Sequence, residues 1–128
     1  MKKLKLIAFS VFVAMLSSCD PDQESTQEQD LAYLNQLLSE IEVLANSKDC
    51  TDAAEWDFTG IGTKSCGGYV GFIAYHKDID SELLFQKIEE HIEAQTIYNQ
   101  KWGIASDCAI TVEPTGVVCE EGKAVLTY

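Results

Sequence analysis

Residues 55–75, EWDFTGIGTKSCGGYVGFIAY, decide the fold, because they contain two different strand patterns separated by glycines. In the first pattern, Trp56 and Phe58 alternate with polar neighbours, which is typical of a strand with one buried face. The second pattern, residues 69–75, is a continuous apolar run and predicts a strand that is covered on both faces. The glycines that mark turns around them are Gly60, Gly62, Gly67 and Gly68.

A helix is predicted on each side of these strands. Between Asp30 and Ser47, apolar residues recur every three or four positions and form one stripe, with Asp30 as the expected N-cap. The stripe spans only about two and a half heptads, which favours packing on its own domain over a coiled coil. The second helix is expected to start at Asp80 or Ser81 and to stop before Gly103.

Residues 106–128 contain three short β-rich pieces and predict a three-stranded antiparallel meander. The length of the chain allows one small domain, which we expect over residues 30–128. The expected fold class is α+β, with two amphipathic helices packed on a small antiparallel sheet and stabilised by disulfides.

Four cysteines lie in this domain, and an even number suggests two disulfides in an oxidising compartment. They are Cys50, Cys66, Cys108 and Cys119. Three connectivities are possible, and proximity in the sequence favours Cys50–Cys66 together with Cys108–Cys119. A zinc site is disfavoured because no Cys-x-x-Cys pair occurs, and neither a metal nor another cofactor is expected.

The amino terminus has the pattern of an exported protein. Lysines precede an apolar run at residues 6–16, and small residues precede Cys19, so residues 1–18 are predicted to be a signal peptide. The stretch LSSC at 16–19 resembles the lipobox of bacterial lipoproteins, and this resemblance implies that Cys19 becomes the lipidated first residue. The polar residues 19–29 are then expected to form a flexible tether that lifts the domain off the membrane.

The charge of the chain restricts its partners. All 21 acidic residues follow Cys19, against six of the nine lysines, so the exported chain has a formal charge of about −15. There is no arginine, the residue best suited to bind phosphates and carboxylates. Nucleic acids, nucleotides and acidic lipids are therefore disfavoured. The acidity is typical of a soluble tethered domain, and the alternative is a face that binds cations or basic proteins.

Three segments carry a family resemblance, namely Trp56–Gly68, Tyr98–Gly103 and Ser106–Cys108. They are similar to a group of small, uncharacterised lipoproteins of the Bacteroidota, over roughly residues 50–128. Tyr69 stands where that group often has proline. The resemblance implies paired cysteines and a lipid anchor in the outer membrane of the cell envelope, on its surface or periplasmic face, but it implies no reaction.

Candidates for chemistry are few, because the chain holds only two histidines, His76 and His91. Neither has an evident acid–base partner in the sequence, and Cys66 would need a free thiol to act as a nucleophile. Residues 78–89 imitate a calcium loop but carry Leu83 where such a loop requires glycine. A further group of carboxylates is a weak calcium candidate and consists of Asp49, Asp52, Glu55 and Asp57.

Two functional hypotheses follow from these features. The first is a lipid-anchored, non-catalytic module that binds an envelope protein or glycan, with Tyr69, Tyr98 and Trp102 as candidate aromatic contacts, although such residues are more often core. The alternative is a small envelope hydrolase, or a protease inhibitor that uses the loop Thr63–Tyr69.

Overall fold

A computed structural model describes residues 24–128 of the protein. The signal peptide predicted for residues 1–18 and the lipidation predicted at Cys19 lie outside the described residues. The elements, in chain order, are helix α1 (Gln27–Ala45), a short 3-10 helix (Ala53–Glu55), strands β1 (Trp56–Ile61) and β2 (Gly71–His76), helix α2 (Ser81–Trp102), and strands β3 (Gly116–Glu120) and β4 (Lys123–Thr127). This is an α+β fold with two disulfides, as predicted.

The β1–β2 hairpin forms the middle layer of the fold. The strands are antiparallel, with Trp56 opposite His76 at one end and Ile61 opposite Gly71 at the other. Because side chains alternate along a strand, Tyr75 points into the core cluster formed with the helices, whereas Ala74 belongs to a second cluster with Cys50 and the β3–β4 hairpin. The prediction of a strand covered on both faces is therefore confirmed for residues 73–75, whereas Tyr69 and Val70, which the prediction included, precede the strand and are exposed.

Helices α1 and α2 pack side by side as an antiparallel pair. Residues with known capping preferences flank both ends of α2 and the start of α1. Asp80 caps the start of α2, accepting a hydrogen bond from the Leu83 amide at 3.0 Å, and Gly103 ends it in a left-handed conformation with φ of 60°. Helix α1 begins four residues earlier than the predicted cap implies. Its N-cap is Thr26, not Asp30, because Thr26 and Gln29 form a reciprocal capping box.

The predicted three-stranded meander is wrong, since residues 106–128 form only a two-stranded hairpin. Strands β3 and β4 pair with each other from Gly116 opposite Thr127 to Glu120 opposite Lys123, and they make a sheet separate from β1–β2. Residues 104–115 run without helix, strand, turn or bend. Residues 106–111 contact the loop between β1 and β2 through hydrogen bonds that involve side chains and through a disulfide, while the Thr115 amide donates to the Thr127 carbonyl at 2.7 Å.

The favoured disulfide pairing is also wrong. The bridges are Cys50–Cys119, with Cα atoms 5.3 Å apart, and Cys66–Cys108, with Cα atoms 5.8 Å apart. Proximity in the sequence fails as a guide because tertiary packing brings distant segments together; the Cys50 amide, for example, donates to the Gly122 carbonyl at 2.8 Å. Each bridge closes a long loop, which stabilises the fold by about 4 kcal/mol in the chain-entropy model.

The antiparallel arrangement gives the molecule two ends. The proximal end contains the start of α1, the end of α2, the β1–β2 loop and residues 104–115. The distal end contains the end of α1, the start of α2, the 3-10 helix and the β3–β4 turn. Because residues 24–26 lead into α1, the chain enters the domain at the proximal end.

Candidate binding surface

Two segments at the proximal end are fastened to each other, residues 62–70 between β1 and β2 and residues 104–112 after α2. We call them the cross-linked loop pair, because the Cys66–Cys108 disulfide joins them covalently. Gly67 and Gly68 both have positive φ, 92° and 82°, and allow the first loop to turn back beside its cysteine. The first of these loops contains Thr63–Tyr69, the loop that the inhibitor hypothesis proposes as the inhibitory segment.

Lys64 is the polar centre of the loop pair. Its Nζ donates to the Asp107 carboxylate and to the Ala109 carbonyl, both at 2.8 Å, and its side chain is only 14% exposed. The ammonium group beside Asp107 lowers the pKa of that carboxyl below its ordinary value. A single lysine thus holds the second loop against the first at two points.

Further hydrogen bonds attach the loop pair to itself and to α2. The Ser65 amide donates to the Ser106 hydroxyl at 2.8 Å, and the Ser65 hydroxyl donates to the Ile104 carbonyl. On the helix side, the Thr63 amide donates to the Gln95 side chain at 2.7 Å, and Asn99 donates to the Thr63 carbonyl at 3.2 Å. These contacts fix the position of the loop pair relative to the helices.

The outer side of the loop pair is apolar and exposed to solvent. Ile110 is 94% exposed, and Val112, two residues further along the chain, is 67% exposed. The intervening Thr111 points back and donates to the Tyr69 carbonyl at 2.6 Å, which places exposed Tyr69 and Val70 beside this segment. We call Tyr69, Val70, Ile110 and Val112 the apolar rim.

Aromatic packing supports Tyr69 from beneath. Its ring meets that of Phe72 edge-on, with centroids 5.9 Å apart, and Phe72 meets Phe58 in the same manner at 6.2 Å. Gly60 lies directly under the Tyr69 ring, and a Cβ atom at that position would overlap the ring carbons. The Tyr69 ring can pack against the backbone here because residue 60 is a glycine and has no side chain.

A polar cleft of about 370 Å³ separates the loop pair from α2, with Lys64, Asn99, Ser106 and Asp107 among its lining residues. Neither histidine lines it. His76 lies at the distal end of β2, where its Nδ1 accepts from the Asp78 amide at 3.0 Å and its Nε2 lies 3.4 Å from Glu55. These contacts, and the edge-on packing of the ring against Trp56 at 5.4 Å, indicate that His76 holds the strand end in place.

His91 is buried on α2, and burial lowers its pKa below the ordinary value. Within residues 24–128 its Nδ1 has no hydrogen-bond partner. All four described cysteines are in bridges, so none offers a thiol. His76 is paired with a carboxylate, Glu55, but among residues 24–128 no hydrogen bond joins either histidine to a serine or cysteine side chain, the contact that a hydrolase of this type uses.

The carboxylates proposed as calcium ligands make other contacts and do not converge on one point. Asp52 caps the 3-10 helix, Asp80 caps α2, Glu55 lies beside His76, and Asp78 pairs with Lys48 at 2.9 Å. Among residues 24–128 no group of three potential metal-ligating side chains is assembled.

The three candidate aromatics do not form one patch. Trp102 donates from its indole nitrogen to Asp30 at 2.9 Å, and the Tyr98 hydroxyl accepts from Gln27 at 3.2 Å, so both join α2 to the start of α1. Tyr69 instead belongs to the apolar rim. The sequence did not single out Ile110 and Val112; the only indication was their spacing of two in a segment that was assigned to the meander.

Comparisons of the chain with protein-family models, with curated proteins and with solved structures found no match. Across residues 24–128, no helix combines the length and apolar character needed to cross a bilayer.

Proposed function

We propose that this protein is a lipid-anchored component of the cell envelope that binds another envelope protein, without catalysis, through the apolar rim. The observation that carries the proposal is the exposure of Ile110 and Val112 on a segment held by a disulfide and by Lys64. Apolar side chains displayed together on a surface favour association, because contact removes them from water.

The backbone beside these side chains is also available for binding. Residues 110–113 form no backbone–backbone hydrogen bond with any described residue and belong to no helix or strand. An extended segment with free amide and carbonyl groups can pair with a strand of a partner, while alternate side chains provide specificity. Because the disulfide and Lys64 already order the segment, binding loses less conformational entropy than a flexible loop would.

The envelope location is supported by the amino-terminal pattern and by the cysteines. The lipobox-like LSSC at 16–19 provides the attachment residue, Cys19, and structural disulfides persist in oxidising compartments outside the cytosol. Mass spectrometry of the protein from its native host should show a chain that begins at Cys19 and carries acyl mass on that residue. An unmodified chain starting at Met1 would contradict the anchor.

Photo-crosslinking in the native host tests the binding surface. A photoreactive phenylalanine analogue at Ile110 should give a protein adduct of defined mass, whereas the same analogue at Val43, an exposed residue on the distal half of α1, should not. The substitution Val112→Glu should reduce the Ile110 adduct. Equal adducts at both positions, or an adduct with lipid alone, would contradict a protein-binding rim.

Protease inhibition is a second candidate, favoured by the same 94% exposure of Ile110. An exposed apolar side chain two residues after a bridged cysteine resembles a substrate segment held rigid. This candidate moves the inhibitory segment from Thr63–Tyr69 to the other half of the loop pair. Inhibition of elastase or subtilisin that is abolished by Ile110→Glu and retained in Val43→Glu would favour it over the binding module.

A further inference from the structure

A groove between the two helices opens at the proximal end, on the helix side of the molecule. It has a volume of about 240 Å³, and its lining includes Tyr33 and Leu34 from α1 and Ile97, Tyr98 and Lys101 from α2. Ile97 is 64% exposed and Tyr33 is also exposed. An isoleucine flanked by two tyrosines and a lysine combines an apolar centre with amphipathic neighbours.

The chain that enters the domain is fixed beside this groove. Lys101 uses its three donors to hold the Ser25 carbonyl, the Ser25 hydroxyl and the Asp30 carboxylate, at 3.0, 2.7 and 2.8 Å. Ser25 itself contributes to the lining of the groove. The position of Ser25 is thus tied to the last turn of α2.

The covalent chain from Cys19 to Ser25 limits how far this point can lie from an anchored lipid. A fully extended chain spans about 3.5 Å per residue, so these six residues reach at most about 20 Å. A domain of this size has a radius of gyration of about 13 Å and is wider than that reach. A lipid on Cys19 therefore keeps the proximal end, with its groove, close to the bilayer.

Acidic residues lie at both ends of the molecule. Nine are at the distal end, four between residues 49 and 57, three between residues 78 and 82, and two at the β3–β4 turn, and of these Asp78 pairs with Lys48. At the proximal end Asp30 and Asp107 pair with Lys101 and Lys64, whereas Glu24, Glu28 and Glu113 are in no ion pair with a described residue. The orientation therefore rests on the short reach from Cys19 and on the exposed residues of the groove.

We propose that the groove side of the proximal end rests in the interfacial layer of the bilayer that holds the anchor, with Ile97 inserted and Tyr33 and Tyr98 at the level of the headgroups. Tyrosine suits this layer because it combines an apolar body with a polar tip, while Lys101 holds the entering chain beside the groove. The proposal rests on the lipidation of Cys19. In this arrangement the domain has a fixed orientation on the membrane surface and does not reorient freely on a flexible tether.

Fluorescence quenching by brominated lipids tests this orientation. The full-length lipidated protein, its acyl mass confirmed first, is reconstituted into phosphatidylcholine vesicles whose chains carry bromine near their headgroup ends. Two variants share the Trp102→Phe background, one with Ile97→Trp and the other with Val43→Trp. Both positions are exposed aliphatic sites on a helix, at 64% and 71%, and Trp56, which is 5% exposed, contributes the same background to both.

We expect the bromines to reduce the fluorescence of the Ile97→Trp variant and to leave that of the Val43→Trp variant unchanged. Quenching at neither position, or equally at both, in protein that carries the acyl mass would overturn the orientation while leaving the anchor intact. Absence of the acyl mass would instead overturn the proposed anchor, so the two failures are distinguishable.

Discussion

Lys64 shows how a single residue can differ from what its type suggests. In an acidic chain with no arginine, a lysine is expected to be a solvated surface charge. Here the side chain is largely buried and bridges the two halves of the loop pair through Asp107 and the Ala109 carbonyl. The second contact is the more important for stability, because Asp107 is exposed and ion pairs in water contribute little.

The substitution Lys64→Met keeps the apolar stem of the side chain and removes both hydrogen bonds. We expect it to lower the free energy of unfolding by about 1 to 2 kcal/mol, since the Ala109 carbonyl loses a charged donor. It should also return the pKa of Asp107 toward its ordinary value. Urea unfolding and NMR titration measure the two effects. Lys123→Met, at an exposed lysine, is the matched control, and equal losses in both variants would contradict the bridging role.

At the scale of elements, helix signals are local and strand pairing is not. The caps at Asp80 and Gly103 depend on one turn of chain each; the sequence placed the first at Asp80 or Ser81 and the second at Gly103. The meander failed because a strand needs a partner, and residues 106–112 obtain their contacts from Lys64, Ser65 and a disulfide instead. The apolar rim was missed for the same reason. Ile110 is exposed because no strand of the described structure pairs with residues 110–112, and the sequence does not show that absence of pairing.

Asp30 illustrates a contact between elements that local sequence could not show. It was expected to cap α1, but it is the fourth residue of that helix. Its carboxylate accepts hydrogen bonds from Lys101 and Trp102 at the end of α2. The hydrogen bond from Lys101, followed by those from Ser25 and Trp102, lowers the pKa of Asp30 from 3.8 to about 2. The charged form therefore helps to hold the two helix ends together.

This depressed pKa predicts a specific acid sensitivity. The contribution of Asp30 to stability is complete above its unfolded pKa of about 4 and is lost as the pH falls toward about 2. We expect Asp30→Asn to be less stable than the native chain at neutral pH, with a difference in urea midpoint that shrinks across this interval and vanishes below it. Val43→Asn, a change between uncharged residues at an exposed position of α1, should shift the urea midpoint equally throughout this interval. A difference that persists at about pH 2 in Asp30→Asn would contradict the linkage.

At the scale of the whole molecule, the two bridges connect layers that the sequence could not place side by side. Cys50–Cys119 joins the end of α1 to β3, and Cys66–Cys108 joins the halves of the loop pair. Composition and spacing indicated that the cysteines are paired, but choosing among three connectivities required the tertiary fold. The fold class, by contrast, followed from the order of helix and strand patterns along the chain.

Peptide mapping without reduction tests the connectivity directly. Cleavage after lysine and glutamate separates residues 49–55, 65–77 and 102–120, because the Glu113–Pro114 bond resists cleavage. Thermolysin, which cuts before residues such as Ile110 and Val117, then separates Cys108 from Cys119. We expect Cys50 linked to the peptide with Cys119 and Cys66 linked to the peptide with Cys108; a link between 49–55 and 65–77 would contradict the structure. Replacing either native pair with alanines should lower the free energy of unfolding by about 3 to 4 kcal/mol in the chain-entropy model, measured in urea.

The nesting of one bridge inside the other has a consequence for how the protein matures. If the chain is threaded amino-terminus first across a membrane, Cys50 and Cys66 meet the oxidising machinery before Cys108 and Cys119 arrive. The first bond available is then the mismatched Cys50–Cys66 bond, and where it forms, a thiolate must attack it before the correct partners can join. That thiolate can belong to Cys108 or Cys119 or to an isomerase, so this route of maturation includes thiol–disulfide exchange as well as oxidation.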